Sequence, residues 1–259
     1  MRVDVRTEAL SCGFVNEPVG THTSRTIMLK ELRGLLEAVG PSGDYAAHVH
    51  AAIELNAVRK STQSTRKETL RRLRELYSLS PGVAVFSGLR ALWDEDVEAQ
   101  PLLAAMCAVA RDPVFRSTLD VVLALDIEQT ISPHALAAEV GESFPGRYSE
   151  NVVAGTGRRI ASSWQQAGLL SGRAVKLRRQ TCARPTNVAY ALYLGHLCGA
   201  RGELLFSTPW ARMLDRSIPE LRTLVSVAAR QGWLEYRAAG GVTEVTFRHL
   251  QGRTAGEQA

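Results

Sequence analysis

Apolar side chains recur every three or four residues through most of the chain, which is the spacing of one face of an α-helix. In 66–77, for example, three leucines and a tyrosine form one stripe, and polar and charged residues fill the other positions. Stretches with a similar pattern are 27–39, 83–93, 102–110 and 188–197. The pattern predicts a mostly α protein whose N-terminal region, 1–115, is built from helices.

The helix predicted at 66–77 is strongly basic. Thr65 and Glu68 have the spacing of a capping box, so we expect the helix to begin at Arg66. Opposite its apolar stripe lies a cationic ridge of Lys67, Arg71 and Arg74, with Arg72 beside it. The hydroxyl-rich segment 61–65 adds donors of the kind that bind a nucleic-acid backbone.

Helix and strand signals follow one another in 116–184. A helix is predicted from Leu119, a Ser-Pro pair at 132–133 begins a short helix that Gly141 should end, and a longer helix begins at Glu150. Two glycines, Gly155 and Gly157, weaken the longer helix and leave a later start as an alternative.

A basic strand is predicted at 173–180. Val175 and Leu177 alternate with Lys176 and Arg178, so we expect the apolar pair to face inward and the basic pair to face outward. Helix, short helix, longer helix and strand is the order of a winged helix. The sequence therefore predicts a winged-helix-like (helix-turn-helix plus β-hairpin) module at 116–184.

A similar order returns in 185–250. The helix at 188–197 is followed by a predicted short strand at 204–206, a helix opened by a Thr-Pro pair, and a longer helix with a capping box at Ser217 and Glu220. A hairpin is predicted at 233–247. These signals indicate a second winged-helix-like module, and the residues after it, 251–259, are predicted to be a flexible tail.

Charge is unevenly distributed along the 259 residues. The net formal charge is only +5, yet 59–90 carries +6 and 151–200 carries +7, the latter without a single carboxylate. The intervening 91–150 carries −8. Two basic blocks favour a polyanionic partner, although the acidic segment could instead neutralise them in three dimensions.

The candidate nucleic-acid-binding residues come from these two blocks, where a basic helix, a recognition helix and its wing would meet DNA. They are Arg59, Lys60, Arg66, Lys67, Arg71, Arg72, Arg74, Arg158, Arg159, Arg173, Lys176, Arg178, Arg179 and Arg184. Contacts of this kind reach the phosphates, so the sequence favours duplex DNA bound with low sequence specificity.

Other function classes find little support in the sequence. No phosphate-binding loop, nucleophile elbow or zinc-protease motif occurs, so we expect no enzyme, although a nuclease built from Asp120, Asp126 and Glu128 stays open. The four cysteines include no C-x-x-C pair, and we expect neither a metal nor another cofactor. The absence of a long apolar run or a signal peptide predicts a cytoplasmic protein without membrane contact.

Several of these segments resemble the BrxA family of bacteriophage exclusion (BREX) defence systems. The similar parts are 60–76, 101–115 and 156–170, within a resemblance that covers roughly residues 55–250. The resemblance implies a small DNA-binding component that acts with a methyltransferase, an alkaline-phosphatase-like protein and an ATPase to block phage replication. It implies no catalytic residues.

Two other roles remain open from the sequence. The acidic segment 91–150 and the basic faces could dock other defence proteins, which would make the protein a scaffold. A winged-helix transcription regulator is the other alternative, and it would need a specific operator.

Overall fold

The N-terminal part of the protein is built from helices. The computed structural model describes residues 7–18 and 20–250. The α-helices of this part are α1 (Thr7–Leu10), α2 (Leu29–Ala38), α3 (Tyr45–Ile53), α4 (Gln63–Tyr77), α5 (Ala84–Trp93), α6 (Gln100–Arg111), α7 (Pro113–Arg116) and α8 (Leu119–Leu123). A 3-10 helix, Thr21–Thr23, lies between α1 and α2.

The C-terminal part combines helices with short strands. Its α-helices are α9 (Pro133–Ser143), α10 (Glu150–Gln166), α11 (Pro185–Leu197), α12 (Pro209–Arg212) and α13 (Ile218–Arg230), and a 3-10 helix spans Gly202–Ser207. The strands are β1 (Thr130–Ile131), β2 (Leu170–Ser171), β3 (Lys176–Arg178), β4 (Glu235–Ala239) and β5 (Val242–Thr246). The predicted mostly α fold is confirmed.

The strands form two small antiparallel sheets. In the first, β3 lies between β1 and β2, with Thr130 opposite Leu177 and Leu170 opposite Arg178. In the second, β4 and β5 form the predicted hairpin. Helices α9 and α10 follow β1 and precede β2 along the chain, so the first sheet joins the two ends of this helix pair.

Helix α10 begins at Glu150 and continues through both of its glycines, so the later start is wrong. The reason is close packing against α9. A Cβ atom at Gly157 would lie 2.3 Å from the carbonyl oxygen of Pro133 and 2.7 Å from the Cβ of Ala137. Glycine costs the helix intrinsic stability, and here it permits the two backbones to approach.

Several other element boundaries differ from those predicted. Helix α4 begins at Gln63, because the N-cap is Thr62, whose hydroxyl accepts a hydrogen bond from the Thr65 N–H. Helix α9 passes Gly141 and ends at Ser143. The strand predicted at 204–206 is part of a 3-10 helix. The capping box at Ser217 and Glu220 is confirmed, and the tail 251–259 lies outside the described residues.

The buried apolar side chains form one connected core from Ala9 to Leu250. Trp164 of α10 lies inside this core, where its ring stacks on Phe115 at a centroid distance of 4.1 Å. Its indole N–H donates to the hydroxyl of Thr118 over 3.0 Å. These contacts fix the position of α10 relative to the N-terminal helices, whereas the division into 1–115, 116–184 and 185–250 stays a prediction.

Candidate nucleic-acid interface

The predicted cationic ridge on α4 is largely neutralised by acids of the same helix. Arg71 forms ion pairs with Glu68 and Glu75, each at 2.7 Å, and Arg72 pairs with the same two carboxylates at 2.8 and 3.0 Å. The hydrogen bond from Arg71 lowers the pKa of Glu68 to about 2, so this carboxylate stays charged even in acidic solution near pH 4. The cluster leaves these two guanidinium groups little free charge to offer to phosphates.

The other candidates of the first basic block divide into two groups. Arg66 donates to the carbonyl oxygens of Ile53 and Lys60, Lys60 pairs with Glu31 at 2.6 Å, and Arg74 lies over the ring of Tyr45. These three side chains hold α4 and the segment before it against α2 and α3. The remaining two, Arg59 and Lys67, are exposed and have no carboxylate partner in the described part of the chain.

The predicted outward orientation of Lys176 and Arg178 is wrong. Lys176 is 7% exposed and Arg178 is 1% exposed, whereas Val175 is 56% exposed. The Lys176 ammonium donates to Gln165 Oε1 and the Gly172 carbonyl over 2.6 and 2.7 Å. These two acceptors replace hydrogen bonds that the buried Lys176 ammonium would otherwise make with water.

Arg178 connects β3 to the segment between α12 and α13. Its guanidinium pairs with Asp215 at 2.5 Å and donates to the carbonyl oxygens of Val122 and Leu169. The alternating pattern of the sequence could not show that Arg178 is buried, because a shift of the strand by one residue exchanges its inner and outer faces. Neither Arg178 nor Lys176 presents its charge to a ligand.

Acids of the segment 91–150 neutralise two outer cations of the second block, Arg179 and Arg184. Arg184 pairs with Asp96 and with Glu98, the latter at 2.7 Å, and Arg179 pairs with Glu128 at 3.0 Å. Part of the −8 charge of this segment is thus neutralised by ion pairs within the molecule.

Arg158 and Arg159 on α10 behave differently. Arg158 is exposed and forms no ion pair with the described residues, and Arg159 donates to the carbonyl oxygen of Thr23 over 2.8 Å. Burial lowers the pKa of Arg159, and the neighbouring charges of Arg158 and Arg25 lower it further. The charges of Arg158 and Arg25 therefore both repel Arg159, and a bound anion would relieve this repulsion.

The loop between β2 and β3 lies at the C-terminal end of α10. Arg173 is exposed in this loop and has no partner among the residues that the structure describes. The contact of Lys176 with Gln165 of α10 ties the base of the loop to the helix. Arg158 and Arg173 are thus carried by two elements that this hydrogen bond connects.

Sequence reasoning missed three cations of the segment 24–37. Arg25, Lys30 and Arg33 line the two hollows beside α2 that Arg59 and Arg159 also line. Charge counting could not find them, because residues 1–58 carry a net charge of −2. Only the tertiary structure brings this segment next to α10.

A buried polar bridge was also missed. His22 Nδ1 lies 2.7 Å from Asp112 Oδ2, and its Nε2 lies 3.0 Å from the hydroxyl of Ser163. Asp112, His22 and Ser163 are hydrogen-bonded in the same order as the Asp, His and Ser of a hydrolase catalytic triad. However, none of the three residues is more than 1% exposed. The Ser163 hydroxyl also donates to the Arg159 carbonyl and accepts from the Ile27 N–H, so the bridge fastens α10 to the N-terminal segment.

The described residues contain no group of three or more His, Cys, Asp or Glu side chains that could hold a metal ion. Of the acids considered for a nuclease, Asp120 pairs with Arg212 and Glu128 with Arg179. Within the same residues, no helix has both the length and the apolar character needed to cross a membrane.

Comparison of the chain with family models, with curated proteins and with solved structures gave no match.

Proposed function

We propose that the protein binds duplex DNA without catalysing a reaction, and that α10 and the loop between β2 and β3 form the centre of the interface. The observation that carries this proposal is the unpaired charge of Arg158 on the exposed side of α10, next to Arg159, on which the charge of Arg25 also acts. Such a cluster attracts phosphates, and its affinity for them falls with salt.

The order of elements around α10 supports the proposal. Strand β1, helices α9 and α10 and the β2–β3 hairpin follow one another in the order of a winged helix, and β3 lies between β1 and β2. In that arrangement the second helix of the helix pair enters the major groove and the hairpin touches the backbone. We assign these roles to α10 and to the loop that carries Arg173.

The second module is proposed on weaker grounds. Helices α11 and α13 and the β4–β5 hairpin repeat the order, but the hairpin has no third strand within the described residues. On α13, Arg222 pairs with Glu203 at 2.9 Å. We therefore place the main DNA contact on the first module.

The proposed cellular setting is BREX-type phage defence in the cytoplasm, with the methyltransferase, the phosphatase-like protein and the ATPase as partners. This setting rests on the sequence segments that resemble BrxA. The scaffold role rests on the acidic segment, several of whose carboxylates are engaged within the molecule. Neither role requires the operator specificity of a transcription regulator.

A pair of charge reversals tests the location of the interface. Arg158→Glu removes an unpaired cation from α10, and Arg71→Glu makes the same change of net charge at an exposed helical position where acids already neutralise the cation. We expect Arg158→Glu to weaken duplex binding roughly tenfold or more in a fluorescence-anisotropy titration, and Arg71→Glu to have a much smaller effect.

Thermal melting of both variants shows whether each remains folded. Equal loss of affinity in two folded variants would contradict the location on α10, because the effect would then follow net charge alone. Retained affinity in folded Arg158→Glu would contradict it as well.

A further inference from the structure

Two adjoining hollows flank the first turn of α2. The first, of about 420 Å³, lies between the 24–31 segment, the start of α4 and Arg159; the second, of about 460 Å³, lies between α2, Arg59 and Gln166. Met28 lines the first hollow and Leu29 lines the second, so neighbouring residues of the chain belong to both. The two hollows are called here the α2 groove, which is lined by residues of the N-terminal region and by Arg159 and Gln166 of α10.

The α2 groove is strongly cationic. Its walls carry six cations and two carboxylates, which are Arg25, Lys30, Arg33, Arg59, Lys60, Arg159, Glu31 and Glu37. One of the two carboxylates, Glu31, forms an ion pair with Lys60. Most of the positive charge is therefore available to a ligand, and the groove continues the cationic surface of Arg158.

The groove is also held in shape by polar contacts. Arg159 is fixed by the Thr23 carbonyl, and Arg33 donates to Gln100 Oε1 over 2.9 Å. Gln166 of α10 accepts a hydrogen bond from the Leu29 N–H at the start of α2, whose own N-cap residue provides no side-chain cap. Helix α10 thus forms one wall of the groove and also orders the opposite wall.

The chemistry of the lining indicates what the groove recognises. Besides the charged groups, four hydroxyl-bearing residues line the first hollow, Ser24, Thr26, Thr65 and Thr69. The hydroxyls of Ser24 and Thr65 also donate to backbone carbonyl oxygens. None of the described residues that line either hollow is aromatic. Binding of bases in a single strand depends on aromatic stacking, whereas Arg, Lys, Ser and Thr are the usual ligands of phosphate oxygens.

We propose that the α2 groove is a second phosphate-binding site, which holds the phosphodiester backbone of the same DNA that α10 contacts. This inference rests on the proposed function. It extends the DNA footprint from the winged-helix-like module onto the N-terminal region and gives the segment 24–37 a role in sequence-independent binding.

The test compares two double variants that each remove two positive charges. Arg25→Gln with Arg59→Gln changes exposed cations of the groove, and Lys67→Gln with Arg71→Gln changes exposed cations on the outer face of α4. Duplex affinity is measured over a salt series for both variants and for the wild type. Inorganic triphosphate serves as a second probe in the same titrations.

We expect the groove variant to lose affinity and to lower the slope of log K against log salt by about 1.8, which corresponds to two phosphate contacts. The α4 variant should keep a slope close to that of the wild type. Triphosphate should displace DNA from the wild type only at high concentrations, because the groove is proposed to hold an extended phosphodiester backbone and not a small ligand.

Three results would overturn the inference while leaving the proposed function intact. The first is a wild-type slope in the groove variant, provided that Arg158→Glu weakens binding. The second is an equal loss of slope in the α4 variant. The third is tight triphosphate binding that the groove variant abolishes without a change in its DNA slope, which would make the groove a site for a small phosphate ligand. If the wild type does not bind duplex DNA, the proposed function itself fails.

Discussion

At the scale of single residues, arginine has three different environments in this protein. Arg158 is exposed and unpaired, Arg71 is exposed but paired with two carboxylates, and Arg178 is buried and bonded to an aspartate and to carbonyl oxygens. The sequence predicts the same role for all three, because each lies in a basic block. Which guanidinium groups can reach a phosphate depends on the acceptors that the fold places beside them.

Asp112 allows a prediction on the pH dependence of stability. Burial raises the pKa of this carboxyl, but the charge and hydrogen bonds of His22 and the N–H of Phe115 outweigh burial, so the net effect lowers the pKa. A lowered pKa contributes stability above the unfolded value of about 3.9, and this contribution is lost as pH falls through the folded value.

We expect Asp112→Asn to lower the free energy of unfolding by about 3 kcal/mol at neutral pH, since it leaves His22 without its charged partner. The variant should also lose part of the acid dependence below about pH 4. Urea unfolding at several pH values measures both effects. Asp44→Asn is the matched control, because Asp44 is an exposed N-cap at which asparagine is equally good. Wild-type stability in Asp112→Asn would contradict the assigned role of the bridge.

At the scale of elements, the sequence predicts most helices because their apolar stripes and caps are local signals. The Ser132 cap of α9 and the capping box of α13 are found where predicted. The errors arise where a local signal competes with packing. Leu204 lies in an apolar run that resembles a strand, but in the described residues no strand pairs with this run, and it forms a 3-10 helix.

Gly157 shows how a packing requirement reverses a local expectation. We expect Gly157→Ala to destabilise the protein by about 2 kcal/mol, since its methyl group would overlap the Pro133 carbonyl and force α9 and α10 apart. Gly141→Ala in α9 is the control, because a Cβ there meets only Val153 at 3.9 Å. That change should be neutral or stabilise the helix by up to about 1 kcal/mol.

Thermal or urea unfolding of the two glycine variants distinguishes the explanations. If both alanines stabilise the protein equally, helix propensity alone governs these positions and close packing of α9 and α10 is not needed. Loss of stability at Gly157 alone would support a rigid placement of α10.

At the scale of the whole molecule, the basic and acidic segments of the sequence do not show which parts of the surface are charged. The acidic segment neutralises Arg179 and Arg184, and the carboxylates of α4 neutralise Arg71 and Arg72 of the first block. The surface that remains cationic joins Arg158 to Arg25 and to other residues from a stretch with net negative charge. The sequence could predict a polyanion as partner, but only the fold shows where the unpaired cations lie together.

The salt dependence of duplex binding by the unmodified protein tests the central claim most directly. If DNA lies along α10, the loop after β2 and the α2 groove, at least four cations reach phosphates, and log K should fall against log salt with a slope of about −3.6 or steeper between about 50 and 200 mM. A salt-independent affinity, or no binding at micromolar protein in the low-salt buffer, would contradict the account.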